Sequence, residues 1–296
     1  MPEAVRRLPN APGVYRFRDA AGRTLYIGRA TELRSRVSSY WSTLRDRPRL
    51  RRMVPAIERV EAVACDSVHE AAWLERNLLE QRKPRWNRTR GGQEVAVHIH
   101  LDTGPATPGV RVTHLPADDS FGPYLGGDRV RLAVAGLHRV HPLAYAGTRL
   151  GGAERDLAAK RGVTPADHAR LTGALTAILR RDPPAVEAAR TALAGVRDRA
   201  AAQLAFEFAA QVQAELLALD WITGPQRATT RDPSDFTASG WSDGMLIALV
   251  VRAGRVQEWR QRACTAPAAA RHLATTPPSW HDFAHRNAVL AATLAL

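Results

Sequence analysis

The sequence predicts a mixed α/β chain built from several modules, and three features point there. Two runs of alternating apolar and polar residues flank the turn in "GVYRFRDAAGRTLYIGRA", residues 13–30, which reads as an antiparallel hairpin. Helical periodicities follow over 31–41 and between Ser67 and Pro84, so hairpin and helices would share a small module with a central sheet containing antiparallel strands. Farther along, alternating runs give way to alanine-rich sequence of helical character over 153–222. With 296 residues the chain exceeds one average domain. The expected division is an α/β domain over 1–90, a β-rich connector over 91–150 and a helical segment over 151–223. A linker over 224–237 and a small terminal α/β module over 238–296 complete it.

Strand alternation places Tyr15 and Phe17 on one face of the hairpin, and Thr24 and Tyr26 on one face of the partner strand. In "TELRSRVSSYW" the residues Leu33, Val37, Tyr40 and Trp41 form an apolar stripe, with Arg36 on its shoulder. If that helix extends backward, Arg29 lies on the same side as Arg36. The basic segment "RDRPRLRRM", 45–53, is broken by Pro48 and reads as loop or helix start. Ser67 followed by Glu70 is a capping box, and Pro84 limits the far end of the helix it opens. The apolar face of that helix is Val68, Ala71, Ala72, Leu78 and Leu79, with Glu75 in its middle. Burying an unpartnered carboxylate is costly, so Glu75 is either ion-paired with an arginine or holds a cation. Spacing alone favours the ion pair.

"EVAVHIHL" and "GVRVTHL" alternate like antiparallel strands, and "SFGPYLGG" after them reads as irregular. His98, His100 and His114 are expected to face solvent from these strands rather than bind metal. "RDPP", 181–184, interrupts the helical region, and "GPQRATTRDPSD", 224–235, has linker composition. The tail reads as a hairpin, "MLIALVVRAGRVQEWRQR", followed by helix. The chain has no Walker loop, no His/Cys metal spacing and no G-x-S-x-G.

The net charge of +13 comes almost wholly from arginine, since Lys83 and Lys160 are the only lysines. Residues 1–90 hold 20 Lys+Arg against 10 Asp+Glu and so carry +10 of that excess. A compositional bias would spread evenly; this charge does not. It predicts a polyanionic partner, nucleic acid ahead of an anionic membrane. Arg49, Arg51 and Arg52 are the candidate DNA contacts within the basic segment. Cys65 and Cys264 are too few for a disulfide framework or a cysteine-rich metal site. With no apolar signal core and no run near ~18 apolar residues, a cytoplasmic location without membrane is expected.

"GVY" and "YIG" on successive strands, then a helical arginine, a helical glutamate and an asparagine beyond it, resemble the GIY-YIG nuclease family. The run "LPNAPGVYRFRDAAGRTLYIGRATELRSRVSSYW" looks most like its UvrC-like branch, which includes short homologues such as Cho. "WLERNLLEQRKPRWN" is similar to the family's second block and "SFGPY" to a UvrC segment downstream of the nuclease. The resemblance implies metal-dependent phosphodiester hydrolysis that nicks one strand of damaged double-stranded DNA near a lesion, as in nucleotide excision repair, in the manner of a 3′-side incision. It implies one Mg²⁺ or Mn²⁺ held by Glu75, with Tyr26 activating water, Tyr15 supporting it and Arg36 stabilising phosphoryl charge. Tyr40 and Asn87 match supporting positions, and Arg29 stands where relatives carry lysine. The arginines beside the two phenols would then favour a phenolate. "AAQLAFEFAAQVQAELLAL", 201–219, resembles a UvrB-binding helical hairpin, so UvrB is an expected partner. Neither the ribonuclease-H-like second nuclease nor the helix-hairpin-helix tail of longer relatives fits in 296 residues, and no iron–sulfur cluster is expected. Two alternatives stand beside this: a GIY-YIG nuclease acting on branched or foreign DNA, and a non-catalytic adapter that binds DNA or UvrB.

Overall fold

The computed structural model describes residues 2–42, 48–89 and 94–295. They fall into two compact units: residues 1–93 together with 225–296, and residues 94–224. In the first unit a short helix α1 (Glu3–Arg6) precedes the hairpin β1 (Gly13–Arg18) and β2 (Thr24–Ala30). Its register sets Phe17 opposite Tyr26 and Tyr15 opposite Gly28. Then come α2 (Leu33–Ser42), α3 (Pro48–Arg51), β3 (Arg59–Ala64) and α4 (Val68–Gln81). The sheet order is β2-β1-β3, all antiparallel. Helix α2 begins at Leu33, so Arg29 lies in β2 and not on a backward extension of the helix. A Cβ on Gly13 would lie 2.3 Å from the Val63 carbonyl oxygen, which is why β1 starts with glycine. Helix α4 is capped as the sequence suggests: Ser67 Oγ accepts from Glu70 N at 2.9 Å. The returning arm differs, because Glu70 Oε2 accepts from Asp66 N at 2.7 Å.

The second unit pairs β4 (Ala96–Asp102), β5 (Gly109–Thr113) and β6 (Ser120–Leu125) in the order β5-β4-β6. The segment expected to be irregular is therefore a strand, β6, whose Tyr124 is buried opposite Val97. His98 also departs from expectation: it is buried, at 9 % exposure, whereas His114 is exposed. Helices α5 (Gly127–Val140), α6 (Gly152–Arg161), α7 (His168–Leu179), α8 (Pro183–Ala202) and α9 (Phe206–Thr223) follow. Asp182 Oδ2 caps α8 by accepting from Ala185 N at 3.2 Å, and Pro183 opens it, so "RDPP" restarts a helix. Val97, Ile99 and Leu101 from the sheet pack with Leu137, Leu193, Val212 and Leu219 from the helices. Arg139 grips the wholly buried Glu215 through two bonds, at 2.7 and 2.6 Å.

Back in the first unit, β7 (Phe236–Ser242), β8 (Met245–Arg252) and β9 (Arg255–Ala263) form a meander, followed by α10 (Ala266–Leu273) and α11 (His281–Ala295). The expected hairpin is β8–β9; β7 is an additional strand. Leu290 and Leu294 of α11 join Val5, Leu8, Tyr15, Phe17 and Val37 in one core. Asn287 covers the open edge of β3, accepting from Ala64 N at 2.7 Å and donating to Ala64 O at 3.1 Å. On α4, Asn77 donates to Ala228 O at 2.9 Å and accepts from Arg255 Nη2 at 2.6 Å. The chain end thus completes the apolar core that the first 93 residues begin. No helix among the described residues is long and apolar enough to cross a membrane.

Candidate active site

Three phenols meet on one face of the β1–β2 hairpin. Alternation along β1 turns Tyr15 and Phe17 toward α2, and the register adds Tyr26 from β2. From α2, Tyr40 places its hydroxyl 2.7 Å from that of Tyr15. Ring centroids separate Tyr15 from Tyr26 by 6.2 Å and Tyr26 from Tyr40 by 6.0 Å. Gly28 makes this crowding feasible: a Cβ there would lie 2.5 Å from the Tyr15 hydroxyl and 2.7 Å from the Tyr26 ring. The glycine of "YIG" is thus a space requirement of the two phenols.

Arg36, one turn before Tyr40 on α2, has its guanidinium 5.6 Å from the Tyr40 ring centroid and hydrogen-bonds to Tyr15. Glu75 approaches from α4, accepting from Arg29 N at 3.2 Å and pairing with Arg29 Nε at 3.4 Å. Its side chain retains 22 % exposure, so it sits at the margin of the buried face and not in its middle. The deeply buried acid of α4 is Glu70, at the cap. Asn87 engages Ile27 in both directions, Oδ1 accepting from its N–H at 3.0 Å and Nδ2 donating to its carbonyl at 2.7 Å. Edge strand β2 is thereby held beside Tyr26.

Burial pushes all three phenols well above the ordinary tyrosine range. For Tyr26 the neighbouring Tyr40 and the Glu75 charge add to this, and Arg36 opposes it. Burial lowers the pKa of Arg36, but the phenols around it outweigh that effect and leave it raised. Each phenol is therefore neutral at pH 7 in the protein as it stands.

The hairpin's other arginines do not serve the phenols. Arg16 and Arg18 point to the opposite face, where both donate to Glu61, and Arg59 joins them at 3.2 Å. Arg23 pairs with Asp19 at 2.8 Å. Arg36 is a cationic neighbour of all three phenols, a role that Arg16, Arg18 and Arg23 do not share. Arg51 and Arg52 are exposed, Arg49 is exposed with Nη2 donating to Arg85 O at 3.0 Å, and Arg45 and Arg47 lie outside the described residues. Sequence reasoning missed Glu61 and Gly28. The alternation of β1 signals that Arg16 and Arg18 face away from Tyr15, but nothing local identifies Glu61 as their partner.

Among the described residues no group of three His, Cys, Asp or Glu converges to hold a metal. Glu75 is thus a single carboxylate beside polar hydroxyls. That donor set suits Mg²⁺, which keeps several waters and takes one or two carboxylates plus substrate phosphates.

A glycine-spaced hairpin presenting two phenols, a helical arginine and a helical carboxylate is the frame of a GIY-YIG nuclease domain. Residues 11–88 match the family described as the UvrC-like GIY-YIG domain. It is 33 % identical over 146 residues to UvrABC system protein C of Trichlorobacter lovleyi, covering 48 % of this chain and 24 % of that one. With the UvrABC system protein C of Mycolicibacterium paratuberculosis it shares 32 % identity over 282 residues, 86 % of this chain and 42 % of that one. The chain spans a quarter to less than half of the length of these relatives. The GIY-YIG N-terminal endonuclease domain of UvrC from Thermotoga maritima, solved with its catalytic divalent cation magnesium, is 30 % identical. It covers 30 % of this chain and 100 % of its own, with a TM-score of 0.27.

Proposed function

We propose that the protein is a divalent-metal-dependent DNA endonuclease that hydrolyses one phosphodiester and nicks a strand near a lesion. The observation that carries this reading is the gathering of Tyr15, Tyr26, Tyr40 and Arg36 on one sheet face beside the partly exposed carboxylate of Glu75. Glu75 is the side chain that would hold one Mg²⁺ or Mn²⁺. When bound, such an ion supplies Lewis-acid polarisation of the phosphate and positive charge near Tyr26. In its minor deprotonated form Tyr26 takes the proton of the attacking water and becomes the neutral phenol, and Tyr15 with Tyr40 fixes the polar frame around it. Arg36 donates to the phosphoryl oxygens as charge gathers on them. Arg29 steadies Glu75, and Asn87 fixes the strand that carries Tyr26. A UvrB-type partner is assigned to the α8–α9 turn, where Leu204 and Phe206 stand 73 % and 65 % exposed.

The test is a nicking assay with defined lesion duplexes, in Mg²⁺, in Mn²⁺ and in chelator, with and without UvrA and UvrB. Lesion-directed single-strand cuts that vanish in chelator are expected. Absence of cutting under every metal and partner would reduce the protein to an adapter.

The DNA path is assigned to the basic segment around α3. Reversing Arg49, Arg51 and Arg52 to Glu should weaken duplex binding regardless of sequence. The slope of log affinity against log salt should flatten by about 2–3, at about 0.9 per lost phosphate contact. The metal dependence of cutting should not change. Parallel salt plots of equal affinity would remove this segment from the path.

A further inference from the structure

The first unit contains a cavity of about 610 Å³ bounded by β1, β2, the C-terminal end of α4 and the β8–β9 pair. Arg16, Arg18, Arg82, Arg252 and Arg260 line it, and Glu258 is the one acid in its lining. Glu258 is already gripped by Arg260 through bonds of 2.6 and 2.5 Å. Glu61 beneath the floor is shared by Arg16, Arg18 and Arg59. Arg252 has an exposed and loose pair with Asp235, at 3.7 Å. Arg82 is exposed and has no ion partner among the described residues. Cationic groups thus outnumber the acids that could neutralise them. Three buried polar atoms of lining residues lack a hydrogen-bond partner: Arg16 Nη2, Trp259 Nε1 and Gln261 Oε1. Arg16 is only 6 % exposed.

Planar guanidinium forks in this number match phosphate oxygens, and the volume is that of a small-ligand site. The lining also says what is not read. Trp259 is 2 % exposed and covered by the Arg16 guanidinium at 3.9 Å, so its face is closed to a stacking base. The remaining lining, Thr24, Gln81 and Gln257 among it, suits sugar and phosphate. Strand alternation puts Arg16 and Arg18 on the face opposite Tyr15 and Phe17, so this cavity is separate from the phenol cluster.

We propose that this cavity is a second phosphate-binding site, which holds the sugar–phosphate backbone of a nucleic-acid strand away from the cut position and without regard to base sequence. The assignment to nucleic acid rests on the nuclease reading above; the anion site rests on the cavity alone. The terminal module thereby contributes to the DNA footprint as well as to the core.

The test uses the full chain in chelator, so that no cutting occurs, and fluorescence anisotropy of labelled single-stranded and duplex oligonucleotides from low to moderate salt. Arg82→Glu with Arg252→Glu changes two exposed rim residues. Affinity at low salt is expected to fall at least tenfold. The salt slope should flatten by about 1.4 on single strands and about 1.8 on duplex. Arg82→Gln with Arg252→Gln should fall between, and serves if the charge reversal does not fold. Unchanged affinity with parallel slopes in a folded variant overturns the site. Displacement of the oligonucleotide by inorganic phosphate or a mononucleotide at equal concentration overturns the strand assignment in favour of a small phosphate ligand. If the nuclease reading fails instead, Mg²⁺ gives no nicking by wild type while this binding difference persists.

Discussion

Glu75→Ala is expected to abolish Mg²⁺- or Mn²⁺-dependent nicking, a loss of several powers of ten, while DNA binding largely survives. The argument starts from position. Glu75 is the carboxylate of α4 that stays partly exposed and whose charge is felt at Tyr26. Its contacts include the hydrogen bond from Arg29 N at 3.2 Å and the pair with Arg29 Nε at 3.4 Å. Losing a net hydrogen bond of this kind costs about 1 kcal/mol, so the variant should remain folded. Glu75→Gln separates the two duties, since a neutral amide still accepts from Arg29 N but binds a hard divalent ion poorly. Both variants should therefore keep a melting temperature near that of wild type and lose cutting together. Near-wild-type cutting by Glu75→Ala would return the residue to its ion pair and move the metal elsewhere. The arginine partner that spacing favours is present in Arg29, and the cation role is the proposal that these two variants test.

The parts of this site written in local periodicity were legible, and the parts set by distant contacts were not. Alternation in "GVYRFR" and the stripe of "TELRSRVSSYW" place Tyr15, Tyr40 and Arg36 without tertiary information. The capping box at Ser67 and Glu70 does the same for α4. The purpose of the hairpin arginines was misread because their partner lies elsewhere in the chain. Arg16 reaches Glu61 in β3, and its Nη1 donates to Trp259 O at 2.7 Å across 243 positions. Strand β7 has no apolar alternation to mark it, because the middle of "FTASGWS", residues 237–240, is small and polar. Its Gly240 is needed so that α11 can approach, a Cβ there falling 2.0 Å from Ala284 O. Nor does any local pattern say that Leu290 and Leu294 share a core with Tyr15. That pairing exists only once the chain end returns to its beginning.

Tyr26→Phe should lower the nicking rate by at least the ~10² to 10⁴ that loss of a general base removes. It should also change how the rate responds to pH, which a packing defect would not do. A base works in its deprotonated form, and burial, Tyr40 and Glu75 hold the Tyr26 phenol above its ordinary range. Across pH 6–9 the phenolate fraction is then small and grows about tenfold per unit. The log rate of wild type should climb through that window without a plateau, and Tyr26→Phe should flatten the climb. The substitution keeps the ring contacts to Phe17 and Tyr40, at 6.3 and 6.0 Å, and gives up the hydrogen bond to Tyr40, at a cost of about 1 kcal/mol that should leave the protein folded. Tyr15→Phe removes a hydroxyl that bonds Tyr40 at 2.7 Å and Arg36, so it should cost less and leave the pH slope intact. Measured as rate against pH for the three proteins at saturating Mg²⁺, equal and trivial effects would leave both phenols as core residues. A flattened slope in Tyr26→Phe alone assigns the proton transfer to Tyr26.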